Sequence, residues 1–430
     1  MTRSEQHHHS GFARLAEMTG LLILLTMAIG SQAQTFHVLH NFTGGRDGAA
    51  PSDGLTIDRN GNVYGTTSAG GNQIYGCENF GRTTGCGGVF ELAHAGAGWI
   101  LRPLYDFDAH DGTANPTLGV TIGPDGALYG LSDGPGGCDG LNGSCGNVYR
   151  VAPPPTTCAG FRCDWQETLL HQFSGQSDGS GPSSRVTFDS AGNMYGLTFA
   201  GGQYNGGAVY ELSRNGAGWI ENVIYSFNIN GSNSEGFPGG QLAIDPAGNL
   251  YSSAECNVNM GCFYGEVWEL QPSQQGWNES VLFQFNGNNG YAPYSGVIRD
   301  SAGNLYGTNS GNTGGGNGSA NVYELSPSNG GWNFTELYDY GDFGEDSTQA
   351  LTMDSAGNLY GADSITGNGY IFKLTHTQSG WTFSRLHSFS GGADGAFPSG
   401  WIVIDSAGNL YGTTSGGGTY GYGVIWEITP

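Results

Sequence analysis

The sequence predicts an all-β protein: one seven-bladed β-propeller of four-stranded blades, its ring closed by the N-terminal strand completing the last blade. Three observations predict it. The phrase "DSAGNLYG" stands at Asp300–Gly307, Asp354–Gly361 and Asp405–Gly412, and looser copies bring the total to seven, centred on Gly61, Gly126, Gly192, Gly248, Gly303, Gly357 and Gly408. Their spacing of 51 to 66 residues is the period of a repeat architecture. Glycine supplies 79 of 430 residues without a Gly-X-Y period, yet aromatics reach 12%, which a disordered chain does not carry.

The chain opens as an export signal. Arg3 and Arg14 flank a polar start, and "GLLILLTMAIG" (Gly20–Gly30) is an apolar core too short to span a bilayer. "SQA" (Ser31–Ala33) offers small residues for cleavage, so residues 1–33 read as signal peptide and 34–430 as a single domain that is secreted, periplasmic or on the cell surface. An uncleaved signal anchor is the alternative.

"FHVLHNF" (Phe36–Phe42) comes next and reads as a fourth strand with no first three before it, while the last unit stops at Pro430 after its third strand, "VIWEIT". The two ends therefore make one blade between them, which leaves no unpaired edge in the ring.

Each unit spells the same four strands. An apolar first strand appears as "GLTID", "GVTIG", "RVTFD", "QLAID" and "WIVID". After the turn, a second strand carries Tyr64, Tyr129, Tyr195, Tyr251, Tyr306, Tyr360 or Tyr411. The third strand alternates, as in "GVFEL", "AVYEL", "EVWEL", "NVYEL" and "VIWEI", and the fourth ends in patterns such as "LYDF" and "LHSF". A Trp marks the third-to-fourth joint at Trp99, Trp165, Trp219, Trp277, Trp332 and Trp381.

In this frame "DSAGN" is the turn from first to second strand. Asp bonds its own backbone two residues on, and Gly takes the positive φ of a tight hairpin. A calcium loop would place a second acid where Ser and Ala stand. The seven tyrosines fit packing between blades, against the third-strand aromatics Phe90, Tyr149, Tyr210, Trp268, Tyr323, Phe372 and Trp426. His40, His171 and His387 occupy a fourth-strand position that other blades fill with Tyr, and no zinc spacing appears.

Thirteen basic against 37 acidic residues give a net charge of −24, which argues against nucleic acid and anionic membranes as partners. Lys373 is the only lysine, which removes P-loop and Schiff-base chemistry. Eight cysteines fall into close pairs, Cys77 with Cys86, Cys138 with Cys145, Cys158 with Cys163, and Cys256 with Cys262. In an exported protein such pairs read as local disulfides.

Strand parity sorts the loops onto two faces. One holds the stereotyped "SAGN" turns and Trp joints; the other holds the second-to-third loops and the crossings between blades, where variation concentrates. The crossings repeat an acid, at Asp47, Asp111, Asp178, Glu235 and Asp394, with Phe237, Tyr291, Tyr294, Phe343 and Phe397 beside them. Carboxylates around a channel mouth suit a cation such as Ca2+ or a sugar hydroxyl, and aromatics suit sugar stacking. The plainer reading is an Asp-Gly turn followed by Pro, copied with the repeat. "GLSDG" and "GQSDG" match a nucleophile elbow but lack its strand–turn–helix setting.

The phrase "SAGNLYGTTSGGGTYGYGVIWEI" and its relatives resemble the exported bacterial tandem-repeat proteins of the GloVer type, with a weaker likeness to NHL-type and sensor-propeller repeats. That resemblance implies a secreted or surface location and brings no catalytic residues. The sequence thus points to an exported, monomeric binding propeller without a required cofactor, its ligand a carbohydrate or another extracellular molecule. A polysaccharide lyase or hydrolase at the same acidic face, or a structural envelope protein, are the alternatives.

Overall fold

The computed structural model describes residues 34–71, 85–96, 98–108, 113–134, 145–154, 165–216, 218–229, 236–255, 264–311, 319–341 and 350–430. They form seven antiparallel sheets around an axis, a seven-bladed β-propeller. Blade 1 is typical: Ala49–Ile57 lies innermost, followed outward by Val63–Ala69, Gly88–Ala95 and Gly98–Asp106. Blade 7 is assembled from both ends of the chain. Ala396–Ile404, Leu410–Gly416 and Val424–Thr429 supply its first three strands, and Thr35–Asn41 pairs with the third as the fourth. The expected closure is what the chain forms.

Seven buried clusters hold the ring, and each one joins two successive blades. In each, the second-strand tyrosine of one blade meets the third-strand aromatic of the next: Tyr64 with Tyr149, Tyr129 with Tyr210, Tyr195 with Trp268, Tyr251 with Tyr323, Tyr306 with Phe372, Tyr360 with Trp426, and Tyr411 with Phe90. The last pair spans the closure, so the non-covalent joint is packed like the covalent ones. Trp joints add an edge-on contact, as between Trp277 and Tyr195 at 6.0 Å.

The Gly after each of these tyrosines has a packing reason. At Gly412 a Cβ would stand 2.3 Å from a ring atom of Trp426, and at Gly65 and Gly361 2.6 and 2.4 Å from ring atoms of Phe90 and Phe372. The third-strand aromatic packs across the second strand, where Gly leaves it room in six of the seven blades. Blade 4 departs, with Ser252 beside Trp268.

The repeated turn is a hydrogen-bonded staple. Asp405 accepts from the backbone N–H of Ala407 (2.8 Å) and Asn409 (2.9 Å), from Asn409 Nδ2 (2.8 Å) and from the Tyr411 hydroxyl (3.1 Å). Tyr411 also lies 2.9 Å from Glu427 of the third strand. The phrase therefore ties the first turn to the second and third strands of its own blade, while its tyrosine ring packs on the next one. Cys86 and Cys145 are buried and neither is free; Cys77, Cys138, Cys158, Cys163, Cys256 and Cys262 lie outside the described residues.

Candidate functional site

The crossing acids sit in turns. Asp47 accepts from Thr43 N–H (2.9 Å) and Thr43 Oγ1, and His40 Nε2 lies 3.0 Å from it. Asp178 and Asp394 repeat this arrangement with Ser174 and His171, and with Ser390 and His387. The histidines that stand in tyrosine positions thus have an acid partner. Burial holds the His171 and His387 side chains below the usual imidazole pKa, against the pull of those acids. In each group the hydroxyl bonds the acid, which is the wrong order for a nucleophile–base pair. Asp111, Glu235 and Phe343 lie outside the described residues. Among the described residues, no group of three or more His, Cys, Asp or Glu is placed to hold a metal.

The crossings also hold the backbone in an unusual state. The residue before Pro has positive φ at Ala50 (47°), Asn115 (53°), Gly181 (63°), Phe237 (59°), Ala292 (40°) and Phe397 (57°). Its N–H is fixed by a carbonyl at the end of the preceding blade's second-to-third loop: Tyr422, Cys86, Cys145, Gly206, Tyr264 and Asn368 respectively, at 2.7 to 3.0 Å. Ala, Asn and Gly fill four of these places. Blades 4 and 7 put phenylalanine there, where a bulky residue is a strained choice.

Phe397 belongs to a larger exposed set, while Phe237 is half-buried beside it. The described residues leave six large aromatics exposed: Phe199, Tyr204, Tyr294, Phe397, Tyr420 and Tyr422. All six lie at the end of a second strand, in a second-to-third loop or in a crossing, hence toward one face. Phe397 is 48% exposed, and Phe199 lies 5.0 Å from the Phe237 ring. Tyr291 is tied down, its backbone paired with Ser310 and its ring 6.0 Å from Tyr264.

The axis holds the feature that sequence reasoning missed. In blades 1, 2, 4 and 7 the first strand slips by two residues against the second, between Ser52 and Thr56, Pro116 and Val120, Gly239 and Ala243, and Ser399 and Val403. In blade 3 the strand breaks at the same place, between Ser180–Pro182 and Thr187–Phe188. A bulge re-aims side chains, and these irregularities lie beside the residues that line the axis. Asp53, Leu118, Ser184, Arg185, Gly240, Ser295, Ala350 and Trp401 line a cavity of about 290 Å³ to which all seven blades contribute. Tyr294 and Ser310 place its mouth toward the aromatic face.

Arg185 crosses this space. Its guanidinium donates to three backbone carbonyls of blades 1 and 2, Leu118 (2.7 Å), Leu55 (2.9 Å) and Asp53 (2.5 Å), and stacks 4.2 Å from the Trp401 ring centre. Gly119 and Gly54 make the passage possible, since a Cβ at either would crowd Nη2. Burial pushes the Asp53 carboxyl up to about 6, against the attraction of Arg185, and pushes Arg185 down to about 10, still charged at neutral pH. The signal for this site was the first letter of each quoted first strand. That position reads Gly54, Gly119, Arg185, Gln241, Gly296, Ala350 and Trp401, while its neighbours repeat.

Comparison with known proteins agrees with this architecture. The profile of the Gloeobacter/Verrucomicrobia repeat family matches residues 157–367. None of the curated proteins matches the chain in sequence. Among solved structures, an ulvan lyase of polysaccharide lyase family PL25 bound to -[GlcA(1-4)Rha3S]- superposes with a TM-score of 0.56, at 9% identity, over 90% of this chain and 95% of that one. A second structure described as PL25 ulvan lyase gives 0.53 at 10% identity, over 91% and 93%. Polysaccharide lyase Uly1 gives 0.49 at 11%, over 88% and 89%. At such identities the likeness is one of fold.

Proposed function

We propose that this chain, whose residues 157–367 match the Gloeobacter/Verrucomicrobia repeat, is an exported saccharide-binding module whose binding surface is the aromatic face with the axial cavity at its centre. One observation carries this reading. Phe237 and Phe397 occupy a backbone position that disfavours them, where other blades use Ala, Asn or Gly. Such strain persists where the surroundings over-determine it and marks functional surfaces. An exposed aromatic ring gives a sugar a flat apolar platform, and the cavity at the axis is lined by polar as well as apolar side chains.

The crossing acids enter this reading as turn staples that hold the rim. That the PL25 ulvan lyases of similar fold act on a polysaccharide is a precedent for the architecture alone. The test is affinity electrophoresis of the oxidised protein through native gels containing different polysaccharides. Retardation in at least one neutral or acidic polysaccharide, reduced in a Phe237→Asn/Phe397→Asn variant, supports the reading. Equal migration in every gel refutes it.

A further inference from the structure

We infer that the axial cavity is a terminal subsite for one anionic sugar unit, its carboxylate or sulfate facing Arg185; this rests on the saccharide reading and narrows it. The first argument is size. About 290 Å³ lies at the lower end for ligand pockets, room for one sugar ring and not for a chain passing through.

The second argument is closure. Around the cavity the first strands of neighbouring blades touch backbone to backbone: Gly240 lies against Ser295, Gly296 against Gln241, and Gly400 against Asp53. Gly240 N–H bonds Ser183 O at 3.0 Å and Gln241 N–H bonds Ser295 O at 2.8 Å. These contacts close the wall, and Arg185, reaching from blade 3 to carbonyls of blades 1 and 2 and to Trp401 of blade 7, bars the axis, so a polysaccharide entering from the aromatic face does so by its end.

The third argument is charge. A guanidinium has five N–H donors, and Arg185 commits three of them to backbone carbonyls. The remaining two are held rigid by those bonds and by Trp401, so ordering them costs a ligand little. Charge-assisted bonds to a carboxylate or sulfate are the strongest use of such donors. Asp53 lines the same cavity, and Tyr294 flanks the entry. A long polyanion lying across the face would meet a protein of net charge −24. A single end unit on the axis meets Arg185 at close range instead, where Coulomb attraction is least screened, with the Asp53 carboxyl, among the described residues, as the one acid lining the cavity.

The test uses the full mature protein and three matched probes: glucose, glucuronate and glucose 6-sulfate. Binding is read by calorimetry and by the change in Trp401 fluorescence, taken as wild type minus Trp401→Phe. The inference predicts that one anionic sugar binds at least about tenfold more tightly than glucose, and that Arg185→Gln abolishes this preference. The wild-type comparison stands even where Arg185→Gln fails to fold. Equal affinity for all three probes overturns the anionic subsite and leaves the saccharide reading intact. Retardation in polysaccharide gels with no sugar reaching Trp401 overturns the axial subsite and leaves the rim. Absence of binding by both assays overturns both.

Discussion

Phe397→Asn separates strain from packing in one substitution. Phe397 sits at φ 57° and is 48% exposed, so about half of its side chain is buried. Removing roughly 100 Å² of buried apolar surface costs about 2 kcal/mol by transfer bookkeeping. Against this, the left-handed conformation costs an ordinary L-residue about 1–2 kcal/mol, most of which Asn avoids. Blade 2 already shows Asn115 in this role, at φ 53° and before a proline. The two terms nearly cancel, so the variant should unfold within about 1 kcal/mol of wild type, a melting shift of about 2 °C or less for a domain of this size. Phe283→Asn, on an outer strand with ordinary φ, should lose its packing without relief and melt clearly lower. Scanning calorimetry at matched scan rates distinguishes the two. Sugar affinity should fall about tenfold in Phe397→Asn and not in Phe283→Asn. Equal destabilisation of both variants would refute the strain argument, and unchanged sugar affinity in Phe397→Asn would refute its role in binding.

Three further outcomes follow from the fold and the axis. Gly412→Ala should destabilise by about 1–3 kcal/mol because its Cβ meets the Trp426 ring, whereas Gly421→Ala, with open space and φ 82°, should cost about 1 kcal/mol; thermal melts check the pair. Deleting Thr35–Asn41 leaves the strand Val424–Thr429 as an open edge, and light scattering should show a lower melting temperature with aggregation. Asp53→Asn should stabilise the protein at pH 7.5 and lose that advantage toward pH 4. A carboxyl raised from the ordinary 3.8 to about 6 in the fold binds its proton more tightly when folded. Its contribution is therefore most favourable below about pH 4 and is lost as pH rises through 6, up to about 3 kcal/mol. Denaturant midpoints measured from pH 4 to 8 check the sign. Asp245, Asp354 and Asp394 lie below the usual carboxyl pKa despite the burial that opposes it, because hydrogen bonds favour the charged form, and they give the opposite slope at lower pH.

The architecture was legible because every blade repeats the same local chemistry. The turn Asp, the tyrosine with its following Gly, and the third-strand aromatic recur at fixed places, and each has a partner that explains it. The closure was legible from a fourth strand at one end and a missing one at the other. The axial cavity was not, because a bulged or broken first strand leaves no trace in alternation: "GLTID" and "RVTFD" read alike as strands, and Arg185 lies in the break between Ser180–Pro182 and Thr187–Phe188. The crossing acids drew attention by repetition, but sequence does not show that Asp47, Asp178 and Asp394 spend their oxygens on Thr43, Ser174 and Ser390. Nor does it show that Phe237 and Phe397 share a backbone state with Asn115 and Gly181, which is what separates them from other surface aromatics.

The most direct test of the saccharide reading is a crystal structure of the mature protein soaked with an oligosaccharide that retards it in native gels. Density for a sugar against Phe397 and Tyr294, with its end unit in the cavity beside Arg185 and Trp401, is the predicted result. Density confined to the face of the "SAGN" turns, with an empty aromatic face, would contradict the account.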